Sequence, residues 1–211
     1  MQNESCPLCE TTSQIYQISK KYVFYECSIC MGVFRGRKHR LSQENEFRRY
    51  QLHQNDVHDT GYQQYMMPVI QKIIQNHPMN SSCLDFGCGP SSVVFKLLTD
   101  HGFQPALYDP YFFPDNKMLH QKWDLIVCTE VIEHFYSPLN MFFQLYDLLK
   151  DKGVLYCTTR LLSPDVVFEN WFYKNDATHT FFYRPETILF LKQKLGFKSI
   201  EMIEKLIVFY K

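Results

Sequence analysis

From about residue 81 onward the chain alternates short, unbroken apolar runs with segments whose apolar residues recur at helical spacing. Ser82 to Phe86 reads as a buried strand stopped by Gly87. Ser91 to His101 follows as a helix, with Val93, Val94, Leu97 and Leu98 on one face. Pro105 to Tyr108 is a second strand ending at Asp109, and Trp123 to Cys128 a third. Ser137 as N-cap and Pro138 at the first helical position open another helix, which Gly153 is expected to close before a strand at Val154 to Thr158. Pro185 to Leu195 predicts a last helix ended by Gly196. Ile200 to Ile203 and Leu206 to Tyr210 predict a closing antiparallel pair, with Glu204 and Lys205 near the turn. Strand–helix alternation of this kind predicts an α/β domain over residues 81–211, a doubly wound and mostly parallel sheet with helices on both faces.

Upstream the texture changes. Residues 1–34 are punctuated by cysteines and carry one β-like run, Tyr22 to Tyr25; residues 35–80 are polar, charged and expected to be a helical linker or cap. The length of 211 residues suits one domain and a small appendage. Apolar content of 45% and charged content of 21% fit a globular protein. With 22 Lys and Arg against 22 Asp and Glu, there is no whole-chain pull on nucleic acid. No apolar run reaches the ~18–20 residues of a membrane span, and the first residues lack the pattern of a secretory signal. Eight cysteines without such a signal point to a reducing compartment, with the cytoplasm as the expected location.

Candidate chemistry concentrates at the strand ends. Asp85-Phe86-Gly87-Cys88-Gly89-Pro90-Ser91 joins a strand to a helix, where glycines let a ligand approach the backbone and the helix offers N–H groups. Asp109, 24 residues after Asp85, ends the next strand and could accept both hydroxyls of a ribose. The dinucleotide pattern fails because Ser92 occupies its last glycine position, so a pyrophosphate ligand is disfavoured. An acid at the start of the loop suits an ammonium group instead.

Leu84-Asp85-Phe86-Gly87-Cys88-Gly89 resembles the first motif of class I S-adenosylmethionine (SAM) dependent methyltransferases, and the run from Trp123 to Phe135 resembles their fourth-strand motif. The resemblance covers residues 81–211. It implies a seven-stranded sheet with a reversed last strand and SAM over the ends of the first two strands. Asp85, Gly87, Cys88 and Gly89 would then lie by the methionine portion, and Asp109 and Pro110 by the ribose. Thr129 and Glu130 would line the pocket. Only 14 residues separate Asp109 from Asp124, so the third strand must be short or missing and the sheet reduced; Tyr111 and Phe112 would cover the adenine.

Glu130, Glu133 and His134 fall at i, i+3 and i+4, neighbours on a helical turn, and His179 comes from a segment that overlies the pocket in this fold. His134 or Glu133 could act as a general base. Glu130, Glu133, His134 and His179 could instead hold a second, divalent metal, since the arrangement resembles the metal site of ubiquinone-pathway O-methyltransferases and plant small-RNA methyltransferases. Local packing is the third reading. The aromatic-rich segment from Arg160 to Arg184 is expected to supply a lid or substrate wall, with about half of its rings packing the sheet edge.

Cys6-x2-Cys9 and Cys27-x2-Cys30, separated by 17 residues, predict two knuckles closing on one structural zinc, a small ribbon. Cys83, Cys88, Cys128 and Cys157 are expected to be small buried fillers. Cys6-Pro7-Leu8-Cys9 resembles the N-terminal module of some bacterial ribosomal-RNA methyltransferases. The stretch Arg35 to Arg40 is expected to be a solvated linker, diluted by Glu44 and Glu46. Tyr50, His53, Asn55, Tyr62 and Tyr65 would cover the pocket, as N-terminal helices do in this family. The leading expectation is methyl transfer to a small molecule. The alternatives are an RNA methyltransferase docked through the zinc module, and a zinc-containing interaction module with a vestigial SAM site.

Overall fold

The structure, a computed structural model, describes residues 3–52 and 56–211; His53 and Asn55 lie outside the described residues. Four short strands come first: β1 (Glu4–Ser5), β2 (Thr12–Ile18), β3 (Val23–Glu26) and β4 (Val33–Arg35). They pair antiparallel in chain order, and the turns that join β1 to β2 and β3 to β4 carry the four cysteines. This sheet runs past residue 34, because Arg35 is its last paired residue and is wholly buried. A solvated stretch from Arg35 to Arg40 is therefore corrected. The Arg40 guanidinium is engaged too, donating to the Tyr136 carbonyl at 3.0 Å, and only Arg37 and Lys38 are exposed.

Two helices follow. In α1 (Gln43–Gln51) the Ser42 hydroxyl accepts from the Asn45 amide, and in α2 (Thr60–Asn76) the Asp59 carboxylate accepts from the Gly61 and Tyr62 amides at 2.8 and 3.1 Å. Such caps satisfy amides that the first helical turn leaves without a partner.

The remaining elements are β5 (Cys83–Phe86), α3 (Val93–Asp100), β6 (Pro105–Tyr108), β7 (Trp123–Thr129), α4 (Pro138–Leu148), β8 (Leu149–Thr158), β9 (Phe181–Phe182), α5 (Pro185–Leu195), β10 (Ser199–Ile203) and β11 (Leu206–Tyr210). Their sheet has six strands in the order β10-β11-β8-β7-β5-β6. Strands β6, β5, β7 and β8 are parallel, and β11 and β10 run antiparallel at one edge. The space between Asp109 and Asp124 holds a single 3-10 turn, Asn116–Leu119, so the sheet is the reduced form of the seven-stranded one.

Strand alternation assigns the two faces. Cys83, Leu125, Val127, Val154 and Tyr156 pack with α2 and α3, whereas Leu84, Ile126, Cys128, Leu155 and Cys157 pack with α4 and α5. Gly153 does not close α4, which ends at Leu148; it sits inside β8, where an added Cβ would lie 2.9 Å from the Lys150 carbonyl and 3.1 Å from that of Trp123. Ser137 holds the N-cap position of α4 without a side-chain hydrogen bond. Among the described residues no helix is long and apolar enough to cross a membrane.

The two sheets are joined through β9. Phe181 and Phe182 pair with Phe34 and Val33 of β4, making the N-terminal sheet five-stranded. Phe168, Tyr173, Phe181, Phe182 and Tyr183 are buried, so most of the expected lid aromatics pack the interior; Phe172, at 62% exposure, does not.

Candidate active site

The loop after β5 is tied down from both sides. The Tyr108 carbonyl accepts from the Gly87 and Cys88 amides at 2.7 and 3.3 Å. Gly87 has φ +77°, and a Cβ there would lie 2.7 Å from a Val131 methyl carbon; Gly89 has φ +67°, with nothing within 4 Å of a Cβ. One glycine thus permits packing, and the other keeps backbone open toward the cleft. The Asp109 carboxylate accepts from the Gly89 amide at 3.0 Å and from the Tyr111 and Phe112 amides at 2.8 and 3.1 Å, which fixes its orientation.

Asp85 is 2% exposed and accepts a short hydrogen bond from the Ser92 hydroxyl. That hydroxyl in turn caps α3, accepting from the Phe95 amide at 2.8 Å. Burial pushes the Asp85 carboxyl up to about 7, opposed by the Ser92 hydrogen bond and reinforced by the charge of Asp109. The helix begins at Val93 instead of Ser91, and Ser92 is its cap.

At the end of β7, Glu130 takes a left-handed conformation, φ +54°. Its amide donates to the Thr158 hydroxyl at 3.0 Å and its carboxylate accepts from the Tyr65 hydroxyl at 3.1 Å. The chain then turns into a 3-10 turn, Ile132–His134. A non-glycine residue costs about 1–3 kcal/mol in this conformation, so surrounding contacts must hold it there.

Glu133 is 1% exposed. Its Oε1 accepts from the Tyr173 hydroxyl at 2.5 Å, while its Oε2 is buried without a hydrogen-bond partner. Burial, and then the charge of Glu130, push the Glu133 carboxyl up to about 8. The His134 Nδ1 lies 3.1 Å from the Thr178 carbonyl and the His179 Nδ1 lies 2.7 Å from that of Tyr173. A carbonyl only accepts, so each Nδ1 carries the hydrogen. The two rings stand 4.9 Å apart, and ligand atoms of Glu133, His134 and His179 lie within 4.8 Å of one another. Glu130 is outside this group, so the four-residue metal set expected from the sequence is a trio.

One cleft of about 850 Å3 connects these features. Asp85, Gly87, Cys88, Gly89, Asp109 and Pro110 line it, together with Thr129 and Glu130. Glu133, His134 and His179 line it as well, so all the residues expected to bind cofactor or do chemistry share one cavity. Tyr50 and Tyr62 border it, while Tyr65 borders a neighbouring cavity of about 620 Å3 that shares Tyr62, Glu130 and His179 with the first. Sequence reasoning missed Glu46, Ser92 and Tyr173. Glu46 is 6% exposed and accepts from the Tyr50 and Tyr111 hydroxyls at 3.2 and 2.8 Å; its spacing of four from Tyr50 on α1 was the available signal.

The chain matches the family described as methyltransferase domain over residues 58–202. It belongs to that family. None of the curated proteins matches this methyltransferase in sequence. Its architecture is similar to magnesium protoporphyrin IX methyltransferase from Synechocystis PCC 6803 with bound SAM: TM-score 0.52, 14% identity, covering 81% of this chain and 92% of that one. It is also similar to a SAM-dependent methyltransferase from Archaeoglobus fulgidus, with TM-score 0.52, 18% identity, and coverage of 66% of this chain and 71% of that one. Against PigF with SAH the TM-score is 0.49 at 15% identity, over 77% of this chain, which spans 60% of PigF. The Synechocystis and Archaeoglobus likenesses show the fold, that of class I methyltransferases.

The four cysteines sit in the turns of the N-terminal sheet, and Cys6, Cys27 and Cys30 pack in one buried cluster with Ile132, Phe135 and Tyr183. Cys6 and Cys30 sulfurs are 3.5 Å apart and those of Cys9 and Cys27 3.3 Å, far longer than the ~2.05 Å of a disulfide. The two knuckles repeat one geometry: the Leu8 amide donates to Cys6 Sγ and the Ile29 amide to Cys27 Sγ, both at 3.4 Å. Each closes with a left-handed residue, Glu10 at φ +63° and Met31 at φ +60°. Cys83, Cys88, Cys128 and Cys157 are buried.

Proposed function

We propose that this methyltransferase transfers the methyl group of SAM to an oxygen, nitrogen or carbon atom of a small molecule. The observation that carries this reading is the single cleft running from the glycine loop to Glu133, His134 and His179. Its volume lies in the ~300–1,000 Å3 range of small-molecule sites. The donor set fits SAM: an ionised Asp85 for the ammonium group, the amide-held Asp109 for the ribose hydroxyls, Tyr111 and Phe112 for the adenine. Bound there, SAM supplies a methyl group on a cationic sulfur. In this reading His134 takes the acceptor's proton as general base, and the cleft walls exclude the water that would compete as an acceptor.

A second reading rests on the buried Glu133 Oε2, which lacks a hydrogen-bond partner. Two imidazoles and one carboxylate suit a divalent ion such as iron, manganese or zinc, held by Glu133, His134 and His179. Such an ion would lower the acidity barrier of an acceptor hydroxyl.

The four thiolates of Cys6, Cys9, Cys27 and Cys30 match the donor set of a closed structural zinc site, and we assign that ion a structural role. With Arg35 buried and Arg40 engaged, the basic stretch offers little surface to a nucleic acid backbone. The test is transfer of labelled methyl from SAM into a cell extract separated into metabolite and RNA fractions. Label among the metabolites is expected; label confined to RNA would replace this reading with the nucleic-acid one.

A further inference from the structure

The second cavity opens beside the catalytic trio, and its walls differ in kind from those of the first. It is lined by rings, Tyr62, Tyr65, Phe172 and Tyr173, and by two guanidinium groups, Arg49 and Arg160. Phe172 exposes 62% of its surface here, although an aromatic side chain normally gains by burial. The Arg160 guanidinium carbon lies 5.1 Å from the Phe172 ring centre.

A third cation, Lys205, lies near these walls without lining the cavity. The Thr159 amide donates to the Lys205 carbonyl at 3.2 Å, which sets Arg160 beside the turn between β10 and β11. The Lys205 ammonium donates to the Tyr65 carbonyl at 2.9 Å and sits over the Tyr65 ring. Burial, with the added charge of Arg160, pulls the Lys205 ammonium down to about 8, against the attraction of Glu130.

Two carboxylates, Asp176 and Glu130, also line this cavity, and both have partners. Asp176 accepts from the Thr178 amide and hydroxyl at 2.9 and 2.6 Å and pairs with Arg49 at 3.3 Å. Glu130 accepts from Tyr65. Among the described residues, no carboxylate lies within ion-pair distance of Arg160. Two like charges held near each other over aromatic walls are relieved by an anion, and a planar guanidinium matches the two oxygens of a carboxylate or phosphate.

Resting on the methyltransferase reading above, we propose that the second cavity is the acceptor subsite and that it selects a flat aromatic acceptor carrying an anionic group. Its rings stack the aromatic body, Arg160 holds the carboxylate or phosphate with the charge of Lys205 adding to the attraction from beside Tyr65, and the shared border at Glu130 and His179 aims the reacting edge at the trio.

The experiment uses the full chain saturated with S-adenosylhomocysteine, whose own affinity is measured first by calorimetry. Binding of 4-hydroxybenzoate, 4-hydroxyphenyl phosphate and the neutral 4-hydroxybenzamide is then compared by NMR titration. At least one anion is expected to bind tenfold or more tightly than the amide; which one does separates carboxylate from phosphate. Arg160→Gln is expected to remove that preference and, separately, Lys205→Met to weaken it, while S-adenosylhomocysteine affinity stays within twofold. Equal affinity for the amide, or a preference surviving both substitutions, overturns the acceptor proposal and leaves the methyltransferase reading standing. No binding of S-adenosylhomocysteine to the wild-type chain removes both.

Discussion

The Arg35 guanidinium donates to the Asp176 carbonyl at 2.6 Å, joining the cysteine-bearing sheet to the segment that carries His179. It also donates to the carbonyls of Ala177 at 2.5 Å and Lys174 at 2.9 Å, and lies 3.9 Å from the Tyr22 ring centre. Burying a guanidinium is costly, and only this number of partners offsets it. Each buried carbonyl left without a donor costs about 1–3 kcal/mol, so Arg35→Met is expected to destabilise the fold by about 3 kcal/mol or more. Arg35→Lys is expected to rescue little, because an ammonium cannot reproduce the planar fork. Thermal denaturation measures the loss. Turnover should fall more than S-adenosylhomocysteine affinity, since His179 follows the tethered loop and the glycine loop does not.

Zinc removal should act through the same connection. Purified, reduced protein is expected to hold about one zinc per chain. Cys27→Ser should abolish it and lower both thermal stability and turnover. Zinc-free wild-type protein with unchanged stability and activity would show that the cysteine cluster supports nothing.

Asp85 makes cofactor binding depend on pH. Its folded-state value, raised to about 7 by burial, exceeds the unfolded value near 4. The folded chain therefore holds this proton more tightly than the unfolded chain. Its contribution to stability is complete below about pH 4 and is lost as pH rises to about 7. The ligand's ammonium group prefers the ionised form, so S-adenosylhomocysteine affinity should rise between about pH 6 and 8. Calorimetry across that range is the measurement, and Asp85→Asn should flatten the dependence.

The two loop glycines are expected to fail differently. Gly87→Ala drives a methyl into Val131 in addition to the ~1–2 kcal/mol cost of its left-handed backbone. A fall in melting temperature of several degrees should follow. Gly89→Ala meets open space and bears the backbone cost alone. Its larger effect should be on cofactor affinity, by tenfold or more, because the added methyl points where a ligand approaches.

His134→Ala is expected to lower turnover by about 10²–10⁴-fold while leaving S-adenosylhomocysteine affinity near wild type. Unchanged turnover would sink both the base and the metal readings of the trio.

The central sheet was legible because its information is local. β5, β6, β7 and the β10–β11 pair are short apolar runs bounded by Gly, Pro or acidic residues, and each was found within a residue or two of its observed ends. The loop from Asp85 to Ser91, and Glu133 with His134, could be read for the same reason. β2 was not found, because TSQIYQI carries polar residues on both faces and leaves Ile18 59% exposed. β4 was not found and Arg35 was misread, because an arginine in a basic stretch looks solvated and its partners lie far along the chain. Gly153 looked like a helix stop, yet its role is close approach between β8 and the β7 backbone. What stayed hidden was long-range.

The pairing of β4 with β9 also sets an order for making the protein. The knuckles and β1 to β4 are made before β9, and the carbonyl of Ala177 that Arg35 requires lies 142 positions later. Until then the young chain carries an open sheet edge and a buried-type arginine without its partners, a hazard for mispairing with other chains. An ion captured by the two knuckles would hold that half-built sheet together, and metal supply during synthesis would then govern how much of the protein reaches its native form.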